Sequence, residues 1–319
     1  MIKYNISVVM PLYNKELEVA RAIRSVLAQS HTDFELIIVN DGSNDGSVEQ
    51  VTIFSDERIR LVNQDNQGVS VARNRGVDES NSDLVAFIDS DDEWLPDFLK
   101  TILTLVENYP DADVFATSYF MRDSLGKSRT PILRGLDKGF SEGILSHYFQ
   151  LAARSDPPIW SSAVAVKKSA LFSVGGFPSG IRNGEDLLTW ARLAVNYSIA
   201  YSTEPLSVFW MPADVTRRIG RFDDEGDPVG VKLEELFGTI TGSQRMEFRS
   251  YLANWHRMRA VTFLRTGNRS ACLNSIFSVV RLGGFNLQML CVMVLVFLPN
   301  SVFILNLLKS ALEFKRTQF

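Results

Sequence analysis

The chain has 319 residues, with 33 Lys and Arg against 37 Asp and Glu for a formal net charge of −4. That balance excludes a general nucleic-acid binder, whose domains run basic, and the 45% hydrophobic content excludes a disordered polymer. With only two cysteines, Cys272 and Cys291, a disulfide framework and a Cys-based metal site are excluded as well.

At about 150 residues per domain, the length suits one large domain and an appendage. Charge suggests the same division. From Arg245 to Phe319 there are ten Lys or Arg and two acidic residues, a balance of +8, which leaves −12 on the first 244 residues. His31, His147 and His256 lie too far apart for the local pair spacings of zinc sites. The first residues pass directly into Ile6-Ser7-Val8-Val9-Met10 without the apolar stretch and cleavage site of a secretory signal, so the catalytic part is expected in the cytoplasm.

In chain order, Ile6 to Met10 is an apolar run of strand length, ended by the turn chemistry of Pro11-Leu12-Tyr13-Asn14. Val19, Ala20, Ile23, Val26 and Leu27 recur at helical spacing and predict an amphipathic helix over 16–30. Phe34 to Val39 is a second buried run, stopped by Asn40-Asp41-Gly42-Ser43. A further helix, the strand Arg58 to Val62, a helix over 69–80 and the run Leu84 to Ile88 follow. Buried runs separated by helices predict a mostly parallel sheet covered on both faces, with ligands beyond the carboxyl ends of the strands. Later strands are expected at 114–119, 162–166 and 206–210, a helix at 184–196, a Gly, Asp and Arg-rich loop at 214–230, and helices from Val231 onward.

No G-x-G-x-x-G follows the first strand, and Gly126-Lys127-Ser128 lacks the leading glycine of a P-loop. The densest local signal is Asp89-Ser90-Asp91-Asp92-Glu93 directly after a buried strand. Alternating carboxylates there suit a hard divalent cation, and such a cation suits a diphosphate. The same residues also suit the cap of a helix starting near Pro96. Asp41 fits either a nucleoside contact or an Asx-turn. Arg73, one turn into a helix that begins with glycine, fits either a nucleotide contact or a solvated cation.

Six segments in this order resemble the family 2 glycosyltransferases of the GT-A fold: P-L-Y-N at 11–14, N-D-G-S at 40–43, N-Q-G-V-S-V-A-R-N at 66–74, D-S-D-D-E-W at 89–94, V-G-G-F at 174–177 and G-E-D-L-L-T-W-A-R-L at 184–193. The resemblance, which covers roughly Ile6 to Trp210, implies an α/β sheet flanked by helices; with the helical pattern from Val231 onward, the chain is expected to divide into a catalytic domain over 1–230 and a helical C-terminal appendage over 231–319. It implies that Pro11, Tyr13, Asp41, Arg73, Asp89 and Ser90 bind a nucleotide sugar, most often a UDP-sugar. It implies further that Asp89 and Asp91 hold Mn²⁺ or Mg²⁺ as a D-x-D motif and that Asp186 is the general base of an inverting transfer. Asn40 stands where the family usually has Asp, which places the nucleoside contact on Asp41. Trp160 and Trp190 fit either the acceptor side or the core, Glu185 is a further candidate beside Asp186 where both also suit a helix start, and Arg217 and Arg218 are expected over the diphosphate. The implied acceptor is a saccharide or lipid-linked hydroxyl, in surface polysaccharide or glycan synthesis. Two alternatives are a sugar-nucleotide pyrophosphorylase, whose Gly-rich basic N-terminal loop is absent, and a non-catalytic scaffold, against which Asp89, Asp91 and Asp186 argue.

From Leu282 to Leu308 no residue is charged, with Arg265, Arg269 and Arg281 before the run and Lys309, Lys315 and Arg316 after it. The length allows a membrane span. The break at Pro299-Asn300-Ser301 and the cations at both ends favour instead a broken helical pair lying in the inner leaflet. Packing on protein is the remaining alternative.

Overall fold

A computed structural model describes residues 6–211 and 226–298. The chain divides into two compact units between residues 213 and 214.

The first unit is built on a ten-stranded sheet. Strand β1 (Ile6–Leu12), helix α1 (Val19–Leu27), strand β2 (Phe34–Asp41), helix α2 (Ser47–Thr52), strand β3 (Ile59–Gln64), helix α3 (Val69–Glu79) and strand β4 (Leu84–Phe87) form its first half. Every residue of β1, β2 and β4 is buried, as strands covered on both faces require. Strand β3 lies at the sheet edge and is only partly buried. Helix α1 buries Val19, Ala22, Ile23 and Val26, a single stripe at i, i+3, i+4 and i+7.

A two-residue strand β5 (Glu93–Trp94), helix α4 (Phe98–Asn108), strands β6 (Val114–Arg122), β7 (Ser128–Arg129) and β8 (Glu142–Ile144) and helix α5 (Tyr148–Arg154) follow. A 3-10 turn at Ser161–Ala163 leads into strand β9 (Val164–Lys167), then helices α6 (Lys168–Ser173) and α7 (Glu185–Asn196) and strand β10 (Ile199–Trp210). The sheet order is β3-β2-β1-β4-β9-β6-β10-β5. Strands β3, β2, β1 and β4 pair in parallel, as do β6 and β10, while β9 lies between β4 and β6 antiparallel to both. The carboxyl ends of β1, β2 and β4 therefore share one edge, and there the polar segments of the sequence gather.

The second unit is helical: α8 (Pro228–Thr239), α9 (Gly242–Thr266), α10 (Arg269–Arg281) and α11 (Leu287–Val296). Side-chain caps mark three of its four helix starts, with Asp227 accepting from the Gly230 amide, Asn268 from Ala271 and Asn286 from Met289. Phe263, Cys272, Ile276, Val279, Met289 and Val292 belong to one core shared by α9, α10 and α11. The boundary expected at residue 230 falls inside α8. Among the described residues no helix is long and apolar enough to cross a membrane. The break at 299–301, the rest of the uncharged run and the cations beyond it lie outside the described residues.

Candidate active site

The first two loops at the carboxyl edge are tied to each other. Asn14, at φ +51°, donates its backbone N–H to Ser43 Oγ at 3.1 Å, and its Oδ1 accepts from the Asn44 amide at 2.9 Å. P-L-Y-N and N-D-G-S thus form one rim, with Tyr13 half exposed upon it. Pro11 is buried in β1, opposite Val39 of β2.

Asp41 closes β2 and is buried. Its Oδ1 accepts from Gln64 Nε2 at 2.7 Å and from the Gln67 amide at 2.9 Å, and its Oδ2 accepts from the Gly68 amide at 2.8 Å. A carboxylate offers about four acceptor positions, so most of this one is spent fixing the start of α3. The Asx-type bond expected of N-D-G-S belongs instead to Asn40, whose Oδ1 accepts from the Ser43 amide at 3.0 Å.

Arg73 projects from α3 into the interior and is 3% exposed. Its Nη2 donates to Asp89 Oδ1 at 2.7 Å and its Nη1 to Glu185 Oε1 at 3.1 Å. Burial opposes its charge, but the carboxylates of Asp89, Glu185 and Asp186 outweigh burial and hold its pKa above the ordinary value. The guanidinium expected to approach a nucleotide directly is therefore an interior brace for two carboxylates. It stands over the Phe177 ring at 5.2 Å, and Phe177 is held in turn by Asn74. The Asn74 Nδ2 donates to the Phe177 carbonyl at 2.8 Å, and the Phe177 amide donates to Asn74 Oδ1 at 2.9 Å.

This clamp accounts for the double glycine of V-G-G-F. Gly176 has φ +65°, and a Cβ there would lie 2.7 Å from Asn74 Oδ1. Gly176→Ala is expected to cost about 2 kcal/mol, from the left-handed backbone and the displaced clamp together. A urea midpoint equal to that of the wild type would overturn this account.

The D-S-D-D segment divides into separate tasks. Asp89 meets Arg73, and its amide donates to Ser162 Oγ at 2.9 Å. Ser90 is buried. The Asp91 side chain is 37% exposed and pairs with Lys15 Nζ at 2.6 Å, while its carbonyl accepts from Arg21 at 2.6 Å. Asp92 is buried, its Oδ2 accepting from Ser162 Oγ at 2.6 Å and from Trp160 Nε1 at 2.9 Å. Burial, with the charges of Asp91 and Asp89 added, pushes the Asp92 carboxyl well above the usual carboxylate range.

Asp186 lies in the first turn of α7, where the helix dipole favours a negative charge. Its Oδ2 accepts from Ser161 Oγ at 3.1 Å and its Oδ1 from the Leu187 amide at 2.7 Å. Burial and the neighbouring Asp186 push the Glu185 carboxyl up to about 7, against the pull of Arg73. The folded protein therefore holds a proton on Glu185 that the unfolded chain releases near 4.5. The stability this group contributes is complete below about 4.5 and is lost as pH rises toward 7; the raised Asp92 acts in the same direction. Glu185→Gln is expected to flatten the decline in urea midpoint over that window, and an unaltered slope would assign the decline to other groups.

The two tryptophans separate. Trp160 is half buried, stacks on Tyr119 at 5.7 Å and contacts Phe209 at 4.1 Å. Trp190 is fully buried against Phe177 at 5.6 Å and Phe87 at 6.5 Å. It has no surface to offer an acceptor, so its candidate place there is corrected to the core. Arg217 and Arg218 lie outside the described residues. Ser161, Ser162, Lys15 and Asn74 were missed as site residues; Asn74 closes the N-Q-G-V-S-V-A-R-N segment and could have been taken from it, whereas the two serines and the lysine carry no motif signal until the loops come together.

Among the described residues no three His, Cys, Asp or Glu side chains group as a self-sufficient metal cage. A hard cation completed by phosphate oxygens needs only one or two protein carboxylates. Asp89 and Asp91 stand at alternate positions beyond β4, both partly exposed and each facing one cation. Their donor chemistry fits Mn²⁺ or Mg²⁺.

Two solved structures share this architecture. Residues 1–349 of S. aureus TarS, in complex with UDP-GlcNAc, align with TM-score 0.69 and 15% identity over 87% of this chain and 81% of that one. The mannosyltransferase PcManGT from Pyrobaculum calidifontis, in complex with GDP-Man and Mn²⁺, aligns with TM-score 0.58 and 16% identity over 92% and 79%. At such identities the likeness establishes the fold, which is GT-A. The sequence profile described as glycosyl transferase family 2 matches residues 7–171, and the chain belongs to that family. An uncharacterized glycosyltransferase of Rickettsia conorii, RC0461, is 33% identical over 204 residues, 63% of this chain and 32% of that protein. The chain spans about a third of the length of the curated relatives it matches.

Proposed function

We propose that the protein is an inverting glycosyltransferase that moves a sugar from a nucleoside-diphosphate donor, a UDP-sugar, to a hydroxyl of a saccharide or lipid-linked acceptor. The observation that carries this reading is the 3-10 turn: Ser161 meets Asp186, and Ser162 meets both Asp89 and Asp92. The backbone of Asp89, the first of the two candidate metal carboxylates, and the candidate base thus share one short support.

Asp89 and Asp91 would hold the divalent cation, which supplies neutralisation of charge on the departing diphosphate. Asp186 accepts the proton of the acceptor hydroxyl as its oxygen bonds to the anomeric carbon. The bond from that carbon to the diphosphate oxygen breaks on the opposite face, so configuration inverts and nucleoside diphosphate leaves. Arg73 orients the Asp89 carboxylate and Ser162 anchors its backbone amide, while Ser161 and the Leu187 amide orient Asp186. Pro11, Tyr13 and Asp41 form the nucleoside end, Asp41 chiefly by shaping the loop before α3. The protein works in the cytoplasm, peripheral on the inner face of the cell membrane, with the basic, apolar second unit as its contact.

The test is nucleoside diphosphate release from a panel of nucleotide sugars with Mn²⁺ or Mg²⁺ and simple glycoside acceptors. Release from UDP-sugars is expected. No turnover with any nucleotide sugar, by a folded protein that binds none of them, would overturn the reading.

A further inference from the structure

The second unit contains a cavity of about 490 Å³ whose lining includes Glu234, Arg245, Met246, Arg249, Arg281 and Leu282. Three guanidinium groups and one carboxylate are among its lining groups. Arg245 Nη1 donates to the Phe237 and Ile240 carbonyls at 2.7 and 2.8 Å, and Arg249 Nε donates to the Leu282 carbonyl at 2.8 Å. Arg281 pairs with Glu234, which also meets His256 Nε2 at 3.0 Å. Carbonyl anchors fix two of the cations without neutralising them, so the lining keeps a positive excess.

The surroundings are apolar and exposed. Met246 at the cavity is 74% exposed, Phe277 one turn before Arg281 is 71% exposed, and Leu287 just beyond Leu282 is 76% exposed. Val280, beside Arg281, is exposed as well. Fixed guanidiniums with spare N–H donors suit phosphate oxygens. Exposed apolar side chains next to them suit the acyl boundary of a bilayer, which a free anion does not offer.

We infer that this arginine cavity is a docking site for the headgroup phosphate of an anionic phospholipid, with the neighbouring apolar side chains entering the bilayer. The inference rests on the reading of the second unit as the membrane contact, and it names the residues that make that contact.

Flotation of the full chain with phosphatidylcholine vesicles, with and without phosphatidylglycerol, tests it. Met246→Glu adds a carboxylate at the cavity and removes no internal side-chain hydrogen bond, and melting curves check its fold. Wild-type protein is expected to prefer the anionic vesicles. Met246→Glu should lose about five-fold more binding to anionic than to neutral vesicles, the effect of one charge at such a surface, the loss common to both being that of its apolar side chain. Phe277→Ser with Leu287→Ser should weaken binding to both. If wild type floats and Met246→Glu floats equally well on anionic vesicles, the cavity is not the docking site and the inference fails. If wild type floats on neither, the membrane reading beneath it fails. Stabilisation by inorganic phosphate without flotation would assign the cavity to a soluble anion and overturn the lipid.

Discussion

Asp91→Asn is expected to lower turnover by about 10²–10³-fold while leaving the fold intact. The two effects separate because of where Asp91 sits. Its side chain is more than one-third exposed, and its partner Lys15 is itself partly exposed. A pair of that kind contributes about 0–1 kcal/mol to stability. What the substitution removes is a full negative charge at the place where a cation would meet the diphosphate. Steady-state release of nucleoside diphosphate across a metal titration measures the loss, and a urea midpoint checks the fold. Undiminished wild-type turnover in excess chelator would remove the cation from the reaction.

For Asp186→Asn the expected loss in kcat is about 10²–10⁴-fold, with little change in donor affinity. Asparagine keeps Oδ1 for the Leu187 amide, and its Nδ2, standing in for Oδ2, can donate to the Ser161 hydroxyl, so the start of α7 stays in place. Only the capacity to take a proton is lost. Calorimetric titration with UDP separates the outcomes. A parallel loss of UDP affinity would make Asp186 a donor contact or a helix-start residue instead of the base.

The parallel half of the sheet was legible because β1, β2 and β4 are buried on both faces, and such strands are near-continuous apolar runs in any sequence. The direction of β9 was not. Val-Ala-Val-Lys would look the same in either orientation, and the reversal depends on the 3-10 turn before it. Strand β10 was expected only from Leu206, yet it begins at Ile199. The polar stretch Ser202-Thr203-Glu204-Pro205 hides its first half, and the register with β6 shifts at these residues. Arg73 shows the same limit in the site. Whether an arginine on a helix faces water or the interior depends on partners, and here those are Asp89, 16 residues away, and Glu185, 112 residues away. Trp160 and Trp190 were indistinguishable by composition. Only the fold sets one beside Asp92 and the other between Phe87 and Phe177.

Ser161 and Ser162 are neighbours, and adjacent Cα atoms across a trans peptide stand about 3.8 Å apart. One of them is bonded to Asp186 and the other to the segment at the end of β4. A single peptide unit therefore links two carboxylate clusters that come from distant parts of the chain. A shift of the 3-10 turn would pull on both contacts together, each through one hydrogen bond.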